Sequence, residues 1–364
     1  MPNKYSVFYN ILTIRKNKES YPQKNLLLLM GPCFDKHKSQ LTGGPIISFG
    51  ELLKELDINK VQYILIDTNK NNYKNIIIAY LSISFQLFSK FNYSYHISLH
   101  SSKDYILFAP LIVLLGKIFN KKTSIRKFGG ELKDTYIKSN FIKKYYLKVL
   151  FSHVDTLLLQ TKYLVSFFSK INKKTIWFPN ARSRVIEPNL PRKFQKKFVF
   201  ISHVIKEKGI HEIIAASQML DKSYTIEVYG PIFDKSYEEL FYNKINISYK
   251  GVLPSHKVLE TLNTYDVVLL PSYKEGYPGI IIEAYSLGIP VIVTNLPSIC
   301  EIVESYKTGI LVTPKNVQEI VSAIQFFNTT NYTTMSQYAY QAFNHFRSDL
   351  NAKRFIKMLK TESI

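Results

Sequence analysis

The sequence is poor in cysteine and has no apolar run long enough to span a membrane. Cys33 and Cys300 are the only cysteines in 364 residues, which excludes a disulfide framework and a cysteine-rich zinc site. The longest apolar runs, Ile76–Phe88 and Tyr105–Gly116, are shorter than the roughly 18 to 20 residues of a membrane span. The run Tyr5–Ile14 precedes its basic residues, which is the wrong order for a signal peptide. These absences predict a cytoplasmic protein.

Three nucleotide-binding or metal-binding patterns are also missing. No G-x-G-x-x-G follows a predicted strand and no G-x-x-x-x-G-K-[ST] occurs, which argues against a dinucleotide oxidoreductase and a P-loop enzyme. No Asp-x-Asp occurs either, so a bound diphosphate would be neutralised by lysine and helix N-termini rather than by a carboxylate-held metal. We therefore expect no metal and no cofactor.

Acidic residues are scarce in the first half of the chain. Residues 1–180 hold 27 Lys and Arg against 10 Asp and Glu, and residues 181–364 hold 21 against 17. The resulting excesses, +17 and +4, predict that the first half meets a polyanion, either nucleic acid or an anionic membrane face. Lys143, Lys144 and Lys148 alternate with aromatic residues and fit both partners. Compositional drift is the remaining explanation, but it would charge both halves alike.

Short apolar runs alternate with helix-length segments along the whole chain, a pattern typical of parallel α/β sheets. Prolines at Pro179 and from Pro188 to Pro191 mark a linker between two such series, so two Rossmann-like sheets should face a cleft. The strands predicted for the first sheet are Asn25–Met30, Val61–Ile66, Tyr95–His100, Thr123–Lys127, Val154–Leu159 and Thr175–Phe178. Those predicted for the second are Phe198–Ser202, Tyr224–Tyr229, Ile247–Tyr249, Val267–Leu270, Val291–Thr294 and Ile310–Val312.

The segment from Asp266 to Pro290 predicts strand, loop and helix, with Gly276 and Gly279 keeping the loop thin. The start of such a helix binds anions, because its first N–H groups are unpaired and its dipole is positive there. Glu275 and Glu283 flank this start, and each carboxylate can accept hydrogen bonds from a vicinal diol. The arrangement fits a diphosphate with a sugar at each end, which describes a sugar nucleotide. The alternative is that both glutamates are solvated charges, although the apolar neighbours of Glu283 argue against it.

Residues from about Thr161 to Pro314 resemble a GT-B glycosyltransferase of the family 4 type, the retaining enzymes of bacterial surface polysaccharide assembly. The motifs are E-x7-E at Glu275 and Glu283, E-K-G at Glu207–Gly209, P-N at Pro179-Asn180, Y-G-P at Tyr229–Pro231 and Y-K-G-V-L at Tyr249–Leu253. The resemblance implies an α/β GT-B fold with an acceptor-binding domain at 1–180, a sugar-nucleotide-binding domain at 181–345 and a C-terminal helix at 346–364 that packs back toward the first domain.

The resemblance also implies a role for each motif. Glu283 would hold the ribose hydroxyls, and Lys208 would pair with the diphosphate. Glu275 would hold the donor sugar, and the base would lie near Gly230, Val252 and Leu253. The backbone that would hold the donor sugar and diphosphate with Glu275 belongs to Gly276, Tyr277, Pro278, Gly279 and Ile280.

The chain departs from the family pattern at two places. The family usually has arginine five residues before its lysine, where this chain has His203, and a neutral imidazole still donates one hydrogen bond. On the acceptor side the family often has a histidine before a glycine, where this chain reads R-K-F-G-G-E, with Arg126, Gly129, Gly130 and Glu131 as candidates. His100 could face the same cleft as a catalytic residue, or be a locally satisfied histidine. Gly43-Gly44 could bring backbone close to a phosphate or sugar, or form an ordinary turn.

These observations predict a retaining glycosyltransferase that uses a nucleotide sugar, UDP-linked rather than GDP-linked, and a lipid-linked or lipopolysaccharide-type or capsule-type glycan acceptor. It would transfer a hexosyl or N-acetylhexosaminyl group. We expect it to lie against the anionic inner face of the cell membrane without binding nucleic acid. Two alternatives stay open at this stage, a sugar-nucleotide epimerase or hydrolase on the same scaffold and a basic nucleic-acid-binding protein.

Overall fold

The structure, a computed structural model, describes residues 26–35 and 43–361. Tyr5–Ile14 therefore lies outside the described residues. Within them the chain forms two parallel sheets of six strands each. Both sheets are built from short runs that alternate with helices, as the sequence predicts, because strands buried on both faces read as continuous apolar segments.

The first sheet has the strand order β2-β1-β3-β4-β5-β6, and every neighbouring pair is parallel. Its strands are β1 (Leu26–Gly31), β2 (Tyr63–Asp67), β3 (Ser94–Ser101), β4 (Lys122–Lys127), β5 (Thr156–Leu159) and β6 (Thr175–Trp177). Its helices are α1 (Gly44–Ile58), α2 (Ile76–Lys90), α3 (Tyr105–Ile118), α4 (Leu132–Lys138), α5 (Phe141–His153) and α6 (Lys162–Phe168).

The helices cover the two faces of this sheet unequally. α2 to α6 pack on one face, where Ile83, Phe108 and Phe151 share a core with Ile97 and Leu157. α1 lies on the other face, where Phe49 contacts the cluster of Leu27 and Leu29. Successive strand residues point to opposite faces, so each strand contributes to both cores.

The second sheet has the strand order β12-β11-β10-β7-β8-β9. Its strands are β7 (Lys197–Ile201), β8 (Thr225–Tyr229), β9 (Ile247–Tyr249), β10 (Val267–Leu270), β11 (Val291–Thr294) and β12 (Gly309–Val312). Its helices are α7 (Ile210–Ser217), α8 (Ser236–Glu239), α9 (Val258–Leu262), α10 (Gly279–Ser286) and α11 (Val317–Phe326). One large apolar core surrounds this sheet.

Two C-terminal helices complete the described chain, α12 (Thr329–Ala342) and α13 (Ser348–Thr361). α12 begins at Thr329, where Asn328 and Asn331 form a reciprocal capping box. α13 returns to the first sheet, where Phe355 is fully buried with Phe49 and Leu29. The C-terminal helix therefore packs back against the first sheet.

The carboxyl edges of the two sheets face each other. Gly130, after β4, lies so close to Gly276, after β10, that a Cβ placed on Gly130 would be 2.9 Å from the Gly276 Cα. Domain boundaries at residues 180 and 345 stay a prediction. No helix among the described residues is long and apolar enough to cross a membrane.

Candidate active site

An ion pair lies where β10 leads into α10. Lys208 Nζ lies 2.5 Å from Glu275 Oε1, and the two side chains are 23% and 9% exposed. Ser272 Oγ donates a second hydrogen bond to the same oxygen at 2.8 Å. Glu275 is therefore held in one orientation beside the start of α10, with a cation next to it. A diphosphate arriving here would meet both the helix start and a lysine.

The position of Lys208 depends on the glycine that follows it. Lys206–Lys208 forms one 3₁₀ turn, and Gly209 ends it with φ of 78°. A Cβ at this position would lie 2.3 Å from the Pro271 carbonyl oxygen, so only glycine lets the turn pack directly on the end of β10. The E-K-G motif therefore places the Lys208 amine against the Glu275 loop.

Glu283 is paired with an arginine from the linker. Arg182 Nε donates to Glu283 Oε1 at 2.7 Å, and the side chains are 6% and 14% exposed. Arg182 Nη1 also donates to Ser48 Oγ at 3.2 Å and to the Ala181 carbonyl at 3.0 Å. Arg182 is thus the polar partner that Glu283 needs within an apolar helix. Among the described residues, the second carboxylate oxygen of Glu283 accepts no hydrogen bond.

Gly279 makes room for that arginine. A Cβ on Gly279, the first residue of α10, would lie 2.1 Å from Arg182 Nη2. Because the guanidinium occupies this space, glycine at the helix start allows the Arg182–Glu283 pair to form. The same glycine keeps the loop thin.

The strand ends of β7, β8 and β9 form the next part of the same edge. Gly230 N donates to the Gly251 carbonyl at 3.0 Å, and Tyr249 Oη donates to the Gly230 carbonyl at 2.8 Å. The Y-G-P and Y-K-G-V-L motifs are thereby joined. Val252 is 41% exposed and Leu253 is half-buried.

His203 follows β7 on this edge and is exposed. Its ring meets the Phe233 ring edge-on, with centroids 5.4 Å apart. Although the residue is exposed, neighbouring protein atoms partly desolvate its ring, and this desolvation and the charge of Lys208 lower the pKa of His203, so the imidazole is neutral at pH 7.

The opposing loop follows β4 and is tied to the second sheet by hydrogen bonds. Gly129 N donates to Gln160 Oε1 at 2.6 Å, Gln160 Nε2 donates to Asn180 Oδ1 at 2.5 Å, and Asn180 Nδ2 donates to the Tyr277 carbonyl at 2.6 Å. Together with the contact between Gly130 and Gly276, this chain of amides fixes the spacing between the two loops. Glu131 is exposed on the same loop.

Two candidates on the first sheet do not reach the cleft. His100 is fully buried, with its ring 4.9 Å from Phe49 and 5.8 Å from Phe355. Burial lowers the pKa of His100 well below its usual value, and the charge of Arg126 adds to this effect. A neutral ring enclosed by α1 and α13 cannot touch a substrate, so the expected cleft-facing position of His100 is wrong.

Arg126 is likewise buried, with 1% exposure. It lies over the Phe128 and Phe178 rings and donates to the Pro179 carbonyl at 3.1 Å. Burial lowers the pKa of Arg126 to about 9, and Arg182 contributes a smaller effect. Both residues alternate onto the α1 and α13 face of the sheet, since His100 pairs with Arg126 in the strand register.

The remaining candidates expose little side-chain surface. Tyr277 is 4% exposed and packs against Phe346, and Pro278 is buried, while Ile280 is half-buried. Gly43 caps α1 without a side-chain hydrogen bond, and both Gly43 and Gly44 are exposed. No group of His, Cys, Asp and Glu within the described residues is arranged to hold a metal ion.

Residues 182–343 match the family described as "Glycosyl transferases group 1". The matched segment contains Glu275, Glu283, Lys208 and His203. The chain carries a glycosyltransferase group 1 domain. The match confirms the resemblance drawn from the motifs.

The relatives of this domain are bacterial. A putative teichuronic acid biosynthesis glycosyltransferase, TuaC, of Bacillus subtilis is 32% identical over 108 residues, which are 30% of this chain and 27% of that protein. A capsular polysaccharide biosynthesis glycosyltransferase, CapM, of Staphylococcus aureus is 29% identical over 110 residues, 29% of each chain. An N,N'-diacetylbacillosaminyl-diphospho-undecaprenol alpha-1,3-N-acetylgalactosaminyltransferase of Campylobacter jejuni is 30% identical over 107 residues, 29% of this chain and 28% of that one. The aligned segments thus span under a third of each relative.

Solved structures extend the likeness to almost the whole chain. Sucrose-phosphate synthase from Thermosynechococcus elongatus superposes with a TM-score of 0.73 at 14% identity, over 93% of this chain and 98% of that one. Anabaena HepE in complex with UDP superposes with a TM-score of 0.70 at 14% identity, over 93% of this chain and all (100%) of that one. The chain therefore has a GT-B fold with two parallel sheets, and the glycosyltransferase group 1 domain contains the second of them.

Sequence reasoning missed the residues that hold the motif side chains in place. Ser272 and Ser298 bond Glu275 through its side chain and its carbonyl, and Gln160 links the two loops. Gln160 directly follows β5, and a polar residue at a strand's carboxyl end is a signal that could have found it. Arg182 carries no comparable signal, since it is one basic residue in a basic linker.

Proposed function

We propose that this protein is a retaining glycosyltransferase that moves a sugar from a nucleotide-sugar donor to a lipid-linked glycan of the surface-polysaccharide type. One observation carries the proposal: the Lys208–Glu275 ion pair stands beside the start of α10, with Gly130 of the opposing loop in contact with Gly276. Such a site offers positive charge to a diphosphate and a carboxylate to a sugar within a few ångströms of the other sheet.

The donor would lie along the carboxyl edge of the second sheet. Glu283 would accept hydrogen bonds from the ribose diol through the oxygen that Arg182 leaves free. Glu275 and the backbone from Gly276 to Ile280 would hold the sugar and the diphosphate. On binding, Lys208 would turn from Glu275 toward the diphosphate, because two negative phosphates offer it more charge than one carboxylate.

The base would rest against Gly230, Val252 and Leu253, which lie together on the β8 and β9 ends. His203 would add one hydrogen bond to the diphosphate. A uridine nucleotide is supported by the structural neighbour HepE, which was solved with UDP. We propose no metal and no cofactor in this reaction.

Transfer needs positive charge at the anomeric carbon and negative charge on the departing phosphate to be stabilised together. The acceptor hydroxyl oxygen would attack the anomeric carbon on the face from which the diphosphate leaves. The carbon–phosphate-oxygen bond breaks as the new glycosidic bond forms, and the hydroxyl proton passes to the leaving phosphate. Lys208, once turned toward the diphosphate, and the N–H groups at the α10 start would supply most of the catalysis.

The acceptor would enter from the first sheet, at the loop formed by Gly129, Gly130 and Glu131. Gly43 and Gly44 lie at the start of α1, on the same carboxyl edge, and would contribute backbone contacts to either substrate. A lipid-linked acceptor is supported by the name of the Campylobacter jejuni relative, a transferase of a diphospho-undecaprenol substrate. The +17 excess of residues 1–180 supports peripheral attachment to the anionic inner face of the cell membrane.

The test is transfer of label from a panel of sugar nucleotides to an extracted lipid fraction. We expect one UDP-sugar to label the organic phase, the new linkage to keep the donor's anomeric configuration, and Lys208→Ala to abolish the product. Release of free sugar, or conversion of the donor to its epimer without transfer, would replace this proposal with a hydrolase or an epimerase.

A further inference from the structure

Exposed apolar side chains are concentrated on three helices of the first sheet. α2 carries six large hydrophobic residues that are more than one-third exposed, and α3 and α5 carry four each. They are Ile76, Ile77, Ile78, Leu81, Phe85 and Phe88 on α2, Ile106, Leu107, Leu114 and Ile118 on α3, and Phe141, Ile142, Tyr145 and the slightly less exposed Val149 on α5. We call this set the three-helix face.

The three helices lie side by side, so the face is continuous. The Tyr80 ring of α2 lies 5.8 Å from the Phe108 ring of α3, and Tyr146 Oη of α5 donates to the Ile106 carbonyl of α3. All three helices pack on the same face of the first sheet and share one apolar core with it. Continuous exposed apolar surface of this extent is unusual on a soluble monomer and marks an interaction site.

The outer side of α2 is apolar and exposed, as expected of a surface that is buried against a partner. Ala79, Ile83 and Leu87 are buried against the sheet, while Ile77, Leu81 and Phe85 are 68%, 67% and 73% exposed on the opposite side. A surface helix of a soluble domain normally presents polar residues there. α2 instead presents these three apolar side chains there, which is typical of a helix whose outer side is also buried.

The charge on the three-helix face selects the kind of partner. The helices span 15, 14 and 13 residues and contain no Asp or Glu. Lys117, Lys143, Lys144 and Lys148 are exposed on them. A second copy of the chain docked here would set these lysines against each other. An anionic bilayer accepts both features, because lysines meet lipid phosphates while apolar side chains enter the acyl boundary.

The face also reaches the rim of the cleft. Each helix leads back to the amino end of the next strand, so its N-terminus lies at the carboxyl edge of the sheet. Ile76–Ile78, Ile106-Leu107 and Phe141-Ile142 are all at helix starts, on the edge that carries the Gly129–Glu131 loop. A bilayer resting there would hold a lipid-borne acceptor beside that loop.

We infer that the three-helix face is a lipid-docking surface that inserts its apolar side chains into an anionic bilayer. The inference rests on the proposed function in one respect: the surface would serve to deliver a lipid-borne acceptor. Binding by charge alone would be lost at high salt. Apolar insertion resists salt, so part of the binding should persist when electrostatic attraction is screened.

Flotation with vesicles of phosphatidylglycerol or of phosphatidylcholine tests the inference. The wild type should float with phosphatidylglycerol vesicles at low salt, and a reduced fraction should still float at high salt. Ile77→Ser with Leu81→Ser and Phe85→Ser should remove the salt-resistant fraction. Charge reversal by Lys143→Glu, Lys144→Glu and Lys148→Glu should lower the low-salt partition coefficient by more than about 100-fold, since loss of three lysines alone accounts for that factor.

A matched control replaces exposed apolar residues of the second sheet. Met219→Ser, Tyr242→Ser and Ile245→Ser remove side chains that are 48%, 65% and 76% exposed, and this variant should float like the wild type. Circular dichroism melting must show that all variants fold. The inference is overturned if the α2 variant floats at high salt as the wild type does, if the wild type floats with neither vesicle, or if light scattering shows a dimer that the α2 variant loses.

UDP binding by calorimetry separates this inference from the proposed function. Both variants of the three-helix face should bind UDP as the wild type does, since their substitutions lie on the first sheet. A protein that binds UDP and transfers sugar without floating contradicts the docking surface alone. A protein that floats but binds no nucleotide contradicts the proposed function alone.

Discussion

The Arg182–Glu283 pair should control nucleotide affinity although only one of its members is proposed to touch the ligand. Arg182 Nε and Glu283 Oε1 are 2.7 Å apart with both side chains largely buried, and Ser48 Oγ and the Ala181 carbonyl fix the guanidinium. Glu283→Gln keeps the shape of the carboxylate and removes its charge. Losing a charge-assisted hydrogen bond to the ribose costs about 1.5 to 3 kcal/mol, so the Kd for UDP should rise about 10- to 150-fold.

Arg182→Met should weaken UDP binding by leaving Glu283 without its anchor. The two changes act on one interaction, so the double variant should bind UDP no more weakly than Glu283→Gln alone. Stability follows the same logic: removing Arg182 leaves a largely buried carboxylate unpaired, which costs about 3 to 5 kcal/mol, and the double variant should recover part of that loss.

Titration calorimetry with UDP and urea unfolding measure both effects on the same four proteins. Arg184→Met is the matched control, because Arg184 lies in the same linker as Arg182 but packs over the Tyr340 and Phe343 rings. It should leave the Kd unchanged. The reasoning fails if the Arg182 and Glu283 effects on the Kd simply add, or if Glu283→Gln binds UDP as tightly as the wild type.

Three further outcomes are expected at the same site. Lys208→Ala should lower kcat roughly 100- to 1000-fold by removing a donor to the departing phosphate, while wild-type turnover should survive EDTA; an enzyme that requires added Mg²⁺ would contradict the second part. The pKa of His203 is lowered in the free protein, and a bound diphosphate would favour its protonated imidazole. The UDP affinity of the wild type, relative to that of His203→Asn, should therefore increase as the pH falls from about 7.5 to 5.5. Equal pH profiles of the two proteins would exclude a role for His203. Gly130→Val should reduce kcat on the order of 100-fold and also raise the Kd for UDP, because its side chain would push away the Gly276 backbone that is proposed to hold the diphosphate; unchanged kcat and Kd would count against a site between these two loops.

The order of strands and helices could be predicted from the sequence because most strands are short, largely apolar runs bounded by turn signals. Val267–Leu270 and Val291–Thr294 match the predicted bounds. Helix starts are harder to predict than strands, because they depend on the cap: α1 begins at Gly44, with Pro45 in its first turn.

The pattern around Glu275 and Glu283 was readable since the chemistry is local to one strand, loop and helix. Their partners were not. Arg182 is 101 positions from Glu283, and no local pattern links a linker arginine to a helix glutamate. His100 and Arg126 were misplaced for a different reason: each lies near the carboxyl end of its strand, but strand alternation turns their side chains into the α1 and α13 core.

A crystal structure of the protein with UDP would test the account most directly. The account predicts the ribose hydroxyls at Glu283, the diphosphate at the start of α10 with Lys208 turned toward it, and the base beside Gly230 and Leu253. UDP bound elsewhere, or in this cleft with neither Glu283 nor Lys208 in contact, would contradict it.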